Sequence, residues 1–232
     1  MRKILAALAL TTAGFSSSAQ ADQSVVLVEL YTSQGCSSCP AADKILAEIA
    51  GRADVLALGL HVDYWDYLGW QDTLAQPEFT ERQARFNTIM KSRYRLVTPQ
   101  MIFNGRDYVA GAKREKAIHY IDMLSKEPEQ VDIKIERIGT SLRISLRPVS
   151  GSQRADIHVV RFIPKTTVAI KKGENAGRNV NYVNTVTEWS TIGEWDGKHP
   201  ETIEQKVDGN ADYAVIVQSK NLGPVLAARR LD

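Results

Sequence analysis

The chain has 232 residues, with 29 Lys and Arg against 27 Asp and Glu, 44% hydrophobic residues and two cysteines. A leader over residues 1–21 would carry away Arg2 and Lys3 and no acid, so the mature cations fall by two to equal the 27 acids. A neutral mature chain leaves no electrostatic case for nucleic acid or an anionic membrane, and its length suits one large or two small domains.

The leader is legible at the start. Arg2 and Lys3 form a positive segment, Ile4 to Ala13 an apolar one, and Ala19-Gln20-Ala21 a small-x-small cleavage site, so the mature chain is expected to begin near Asp22. The apolar run is too short to cross a bilayer, and no other segment comes close, so no membrane span is expected after cleavage. The cleavage region has no cysteine for a lipid anchor. The expected location is periplasmic or secreted. An exported chain meets an oxidising compartment, which makes its two cysteines disulfide-competent.

Val25 to Tyr31 reads as a buried strand. Cys36-Ser37-Ser38-Cys39-Pro40 follows, and then a helix from Ser37 to Ala50 that buries Ile45, Leu46 and Ile49. A strand, a CxxC and a helix form an arrangement that activates a thiol, because the unpaired N–H groups and partial positive charge at a helix start favour thiolate. The second cysteine is placed to open or close a disulfide with the first. Val55 to Val62 is a second strand, which implies parallel pairing with a right-handed crossover. Residues 63–76 are an aromatic-rich insertion, in which Asp63, Tyr64, Trp65 and Trp70 are expected to pack or to shape a groove. Pro77 opens a helix to about Tyr94. Thr98-Pro99 leads into a strand at Gln100–Phe103. Asn104-Gly105 marks a hairpin to Arg106–Ala110, and Lys113 to Ser125 is the last helix.

The character changes at Glu127-Pro128. Val131, Ile133 and Ile135 alternate at period two, as do Leu142, Ile144 and Leu146. Further strand-like runs are Ile157–Ile163, Thr167–Ile170, Asn181–Thr187, Thr202–Val207, Tyr213–Gln218 and Val225–Arg229. Short strands separated by turn residues predict a β-sandwich. The glycine-rich stretch from Gly173 to Arg178 lacks a phosphate-loop context and reads as a turn.

The β-α-β-α-β-β-α order, the CxxC after the first strand and a proline before the third strand together resemble the thioredoxin superfamily over roughly residues 24–126. The phrases YTSQGCSSCPAAD, HVDYWDYLGW and VTPQMIFNG are also similar to an exported bacterial family of unknown function, number 1223 of its kind. The expected fold is therefore an α/β thioredoxin-like domain (22–127) followed by an all-β sandwich-like domain (128–232). The resemblance implies Cys36 as the exposed nucleophile, Cys39 as the buried resolving cysteine and Pro99 as a cis-proline beside them, with the Thr98 backbone facing the cysteines. It also implies Glu29 as a buried carboxylate that takes the proton of the resolving thiol. The chain departs from the pattern at Gly35, where a tryptophan is usual, and at the Ser37-Ser38 dipeptide, which leaves the redox direction open.

The expected function is thiol–disulfide exchange on protein thiols of the cell envelope, without an organic cofactor. One rival is a copper-binding protein or metallochaperone using Cys36, Cys39 and His61, since two thiolates suit Cu(I) and His61 ends a strand at the same sheet edge. A second rival is a non-enzymatic envelope binding protein with a fixed disulfide. A CxxC loop makes a poor staple, because so short a closure removes little chain entropy.

Overall fold

The computed structural model describes residues 24–151 and 153–231; the expected leader at residues 1–21 lies outside them. The first half follows the expected element order. Strand β1 (Val26–Thr32), helix α1 (Cys39–Ile49) and strand β2 (Val55–His61) form the first crossover, with β1 and β2 parallel from Val26↔Val55 to Thr32↔His61. A single 3-10 turn (Asp66–Leu68) and helix α2 (Pro77–Ile89) follow. Strands β3 (Gln100–Phe103) and β4 (Asp107–Ala110) form the hairpin, and helix α3 (Arg114–Leu124) closes this half. Asn104 and Gly105 both have positive φ, 45° and 64°, which is the backbone that the Asn-Gly pair predicts.

Strands β5 (Val131–Ile138), β6 (Ser141–Pro148), β7 (Ala155–Ala169), β8 (Asn179–Trp195), β9 (Glu201–Lys206), β10 (Asp212–Ser219) and β11 (Val225–Arg230) make up the second half. They do not form a separate sandwich. One eight-stranded sheet runs β11-β10-β7-β8-β2-β1-β3-β4, and β5-β6-β9 form a second, three-stranded sheet. The expected thioredoxin-like domain followed by an all-β sandwich-like domain is thus replaced by a mixed α/β fold whose main sheet is shared by both halves.

The junction explains the difference. The run that becomes β2, VLALGLH, is buried at every position, so it cannot serve as a solvent-facing edge. Strand β8 covers it, in parallel, at Gly59↔Thr185. A Cβ on Gly59 would lie 3.5 Å from the Val183 carbonyl oxygen, so this bare position admits the neighbouring backbone. Asn184, at φ 45°, bends β8 there and donates its Nδ2 to Ala57 O at 2.8 Å. Opposite the bend, Pro164 falls between the Ile163↔Thr185 and Lys165↔Val183 pairs. The runs Ile157–Ile163 and Thr167–Ile170 are therefore one strand, because a proline is tolerated where the ladder is already interrupted.

Three apolar layers hold the molecule. The largest joins both halves: Leu27, Tyr31 and Leu58 meet Phe79 and Phe86 of α2, and also Val160, Val186 and Ile216. On the other face of β1 and β2, Val28, Leu30 and Ala57 pack under α1 and α3. The third lies between the two sheets, where Ile133, Ile144 and Leu146 meet Ile157, Val215 and Val217. Among the described residues no helix is long and apolar enough to cross a membrane.

Candidate functional site

Cys36 and Cys39 are joined as a disulfide, with their Cα atoms 5.4 Å apart, in the turn between β1 and α1. Helix α1 starts at Cys39, with Ser38 as its N-cap residue and Pro40 in the first turn, where a missing N–H breaks no intrahelical bond. The turn is closed by Cys39 N–H donating to Cys36 O at 3.2 Å. Cys36 is not the exposed thiol that the resemblance implies: it is 1% exposed and Cys39 0%.

The second half supplies much of the cover. Asn175, in the loop between β7 and β8, donates Nδ2 to Gln34 O at 2.9 Å and to Cys36 O at 2.8 Å. Gly173 of the same loop packs against Trp70, whose Nε1 donates to Gln34 Oε1 at 2.8 Å. A small apolar cluster of Ile170, Val180 and Tyr182 with Trp70 and Leu74 fastens this end of the hairpin to the aromatic insertion. The glycine-rich segment is a turn, as expected, and it also closes over the cysteines.

The Thr98–Pro99 peptide bond is cis. Trp65 connects it to the cysteine loop: its Nε1 donates to Thr98 Oγ1 at 2.7 Å, and its Cβ lies 3.0 Å from where a Cβ on Gly35 would sit. A side chain at residue 35 would collide with Trp65.

Glu29 is buried on the α2 face of β1 and fully engaged. Arg82 of α2 clasps it in a fork, Nε to Oε2 at 2.7 Å and Nη2 to Oε1 at 3.0 Å, and Tyr31 OH donates to Oε2 at 2.8 Å. Arg82 also donates to Gln218 Oε1 of β10 at 3.2 Å and lies 3.9 Å over the Trp189 ring of β8. Burial disfavours the guanidinium charge, but Glu29 outweighs it and the Arg82 pKa is raised. The Tyr31 hydroxyl is driven well above its ordinary value by burial and then by Glu29.

The opposite face, under α1, holds a second set of polar groups. His61, at the end of β2, donates Nδ1–H to Asp72 Oδ2 at 2.7 Å, and the same oxygen accepts Gln34 N–H at 2.7 Å. Its Nε2 is buried and unpaired, and the Tyr182 ring meets it edge-on at 4.6 Å. Asp43 of α1 accepts a hydrogen bond from Thr32 Oγ1 at 2.8 Å through Oδ1, while its Oδ2 is buried with no partner. Burial pushes the Asp43 carboxyl up to about 7, against the attraction of His61. The Tyr182 hydroxyl is raised, first by burial and then by Asp43 and Asp72.

Cys36, Cys39 and His61 do not form a ligand set here. Both sulfurs are held in the disulfide, and among the described residues no group of three or more His, Cys, Asp or Glu side chains is arranged to hold a metal.

Sequence reasoning missed Asp43, Asp72 and Asn175. Asp43 had a signal, since it is an acid on the core-facing side of α1, three residues before Leu46. Asp72 and Asn175 had none, because their partners lie 38 and 139 residues away.

A family described as "Protein of unknown function (DUF1223)" matches residues 27–218. The chain belongs to this family. A crystal structure of a protein from Agrobacterium tumefaciens is similar at 34% identity, covering 90% of this chain and 94% of that one, with a TM-score of 0.77. HBP35 of Porphyromonas gingivalis is similar at 13% identity over 90% of this chain and 75% of that one, with a TM-score of 0.62, a likeness of fold alone. No curated protein matches the chain.

Proposed function

We propose that this member of the family is a thiol–disulfide oxidoreductase of the cell envelope, acting on protein thiols through Cys36 and Cys39. The observation that carries the reading is the Cys36–Cys39 disulfide at the start of α1, on the C-terminal edge of the parallel β1–β2 pair, where α/β sheets place their sites. Trp65, which bonds Thr98 and packs against Gly35 of the same loop, brings a third segment to the cysteines and supports it.

The exchange balances as follows. A substrate thiolate attacks Cys36 Sγ, the Cys36–Cys39 bond breaks, and Cys39 leaves as a thiolate that takes up a proton. A second substrate thiolate then attacks the substrate sulfur of the mixed disulfide and releases Cys36. Two substrate thiols are oxidised and the pair is reduced; the same steps run backwards reduce a substrate disulfide. Because both cysteines are buried, the loop that carries them must open before a protein sulfur can reach Cys36, and the Asn175 hydrogen bonds help to hold it closed.

The test is trapping. Cys39→Ser in the exported protein should accumulate covalent complexes with envelope proteins that reductant releases, and Cys36→Ser should trap few or none. If neither variant traps a partner while both fold and export, the reading fails.

The sealed cysteines favour a second reading, a binding protein with a fixed disulfide. It predicts a reduction potential below about −300 mV, out of reach of cellular thiols, whereas the exchange reading predicts a higher one.

A further inference from the structure

Three buried acids stand in this part of the fold, Glu29, Asp43 and Asp72, and their hydrogen bonds set Asp43 apart. Asp72 has both oxygens engaged, by Leu74 N–H on one and by Gln34 N–H and His61 on the other. Both oxygens of Glu29 are occupied, by Arg82 and by Tyr31. Asp43 has one oxygen occupied, by Thr32, and one buried oxygen with no donor. A buried acceptor without a donor is costly and calls for an explanation.

Its position offers one. Asp43 follows Cys39 by four residues on α1, and both side chains belong to the buried face of that helix. Residues four apart stack on a helix, and side chains lean toward its N-terminus, so the Asp43 carboxyl lies over the turn that carries Cys39. In the disulfide, Cys39 has no proton to offer. In the reduced pair it has an S–H, a donor that the free oxygen lacks.

We propose that Asp43 is the proton acceptor and donor for Cys39. The proposal rests on the exchange reading of this site. In resolution, the Asp43 carboxylate takes the Cys39 proton and the Cys39 thiolate attacks Cys36 Sγ in the mixed disulfide. The Cys36–Cys39 bond forms, the bond from Cys36 to the substrate sulfur breaks, and the substrate leaves as a thiolate that draws its proton from water. In the reverse direction, protonated Asp43 supplies the proton to Cys39 as it leaves.

The groups that face Asp43 fit the task. Thr32 of β1 orients it, His61 of β2 attracts its negative charge, and Asp72 opposes that charge. A cleft of about 620 Å³ between α1 and β8, lined by Pro40, Asp43, Lys44 and Asn181, gives the proton a way to water. With Lys44, Arg178 adds a second cation to the cleft lining. Burial holds the carboxyl near neutrality, where a proton acceptor works best.

The experiment is rapid mixing of the reduced protein with 5,5′-dithiobis(2-nitrobenzoate). The first aromatic thiolate released reports attack by Cys36, and the second reports attack by Cys39. The second rate in the natural protein should rise through about pH 7. Asp43→Asn should slow it about 100-fold and remove the inflection, leaving the first release unchanged; Asp43→Glu should restore part of both. An Asp43→Asn protein with the natural second rate and pH profile overturns the proposal. If that variant does not fold, carboxyl titration by NMR of the natural protein decides. Asp43 should titrate differently in the oxidised and reduced forms, and identical curves overturn the proposal. The probe is synthetic, so this result stands apart from the envelope-trapping experiment that tests the exchange reading.

Discussion

Glu29 and Asp43 lie on opposite faces of one sheet, and the two faces are built for different purposes. On the α2 face, Glu29, Arg82, Tyr31 and Gln218 join three elements, β1, α2 and β10, and the Trp189 ring of a fourth, β8, lies under the guanidinium. That face fastens the halves together. On the α1 face, Asp43 and His61 each keep one buried polar atom unpaired, beside the cysteines. The α2 face has unpaired atoms as well, Gln83 Oε1 and Trp189 Nε1 among them, so what separates the two acids is their own partners: both Glu29 oxygens are engaged, and a buried carboxylate oxygen without a donor calls for an explanation. The contrast teaches that burial alone does not mark a reactive acid; the count of its partners does.

The largest effect should come from the fastened face. Arg82→Met leaves the Glu29 carboxylate buried without its cation, which should cost about 3–5 kcal/mol in urea unfolding. Adding Glu29→Leu should recover most of that loss, because a well-packed apolar pair can replace a buried ion pair at little cost. A single-variant loss below about 1 kcal/mol would mean that the face is not what holds the halves together.

That junction also marks the limit of what the sequence discloses. Elements in both halves were readable where each carries a local sign: Pro77 at a helix start and Asn104-Gly105 at a hairpin in the first half, period-two alternation at Val131–Ile135 in the second. The pairing of β8 with β2 carries none. It depends on Gly59 admitting the Val183 backbone and on Asn184 bending the strand, contacts well over a hundred residues apart in sequence. One clue was present: a run apolar at nearly every position, Val55–Val62, belongs inside a sheet and not at its edge. The site divides the same way. Cys36 and Cys39 were legible as a motif, and Pro99 and Thr98 only through the family resemblance. The burial of Cys36 was not legible, because its loop is held in part by Asn175, at the tip of a hairpin from the other half.

A second effect tests the α1 face through stability. The Asp43 carboxyl is held up at about 7 in the fold, well above its ordinary 3.8. The folded protein therefore binds this proton more tightly than the unfolded chain does. The stability it contributes is fully present below about pH 4 and is lost as pH rises through about 7. Asp43→Asn has no proton to lose, so its stability relative to the natural protein should climb over that interval, by about 4 kcal/mol at most. Unfolding curves at pH 5 and pH 8 measure this, and a difference that does not change with pH would show that Asp43 is not held protonated.

The fastened face should fail at the other end of the pH scale. His158 of β7 accepts or donates at Thr191 Oγ1, 3.0 Å away, and has Trp189 beside it. Burial, then the Arg82 charge, lowers its pKa to about 4. Its depressed value means that stability is intact above about pH 6.5 and is lost as pH falls through about 4. His158→Gln should flatten that acid limb by ~2 kcal/mol. An unchanged limb would place the acid-sensitive group elsewhere.

The smallest effect should be the most local. Asn175 donates two hydrogen bonds to the loop that holds Cys36, each worth about 1 kcal/mol net, and no apolar layer of the main core depends on it. Asn175→Ala should shift the loop toward its open state by about tenfold while leaving global unfolding nearly unchanged, since loops open locally at a fraction of the whole stability. The measurement is the rate at which the Cys36–Cys39 disulfide is reduced by a protein dithiol, compared with the rate for a small phosphine. Removal of a gate speeds the large reductant more than the small one. Equal acceleration of both would mean that Asn175 tunes the disulfide itself, and no acceleration of either would mean that the sulfurs are reached by a route the hairpin does not close.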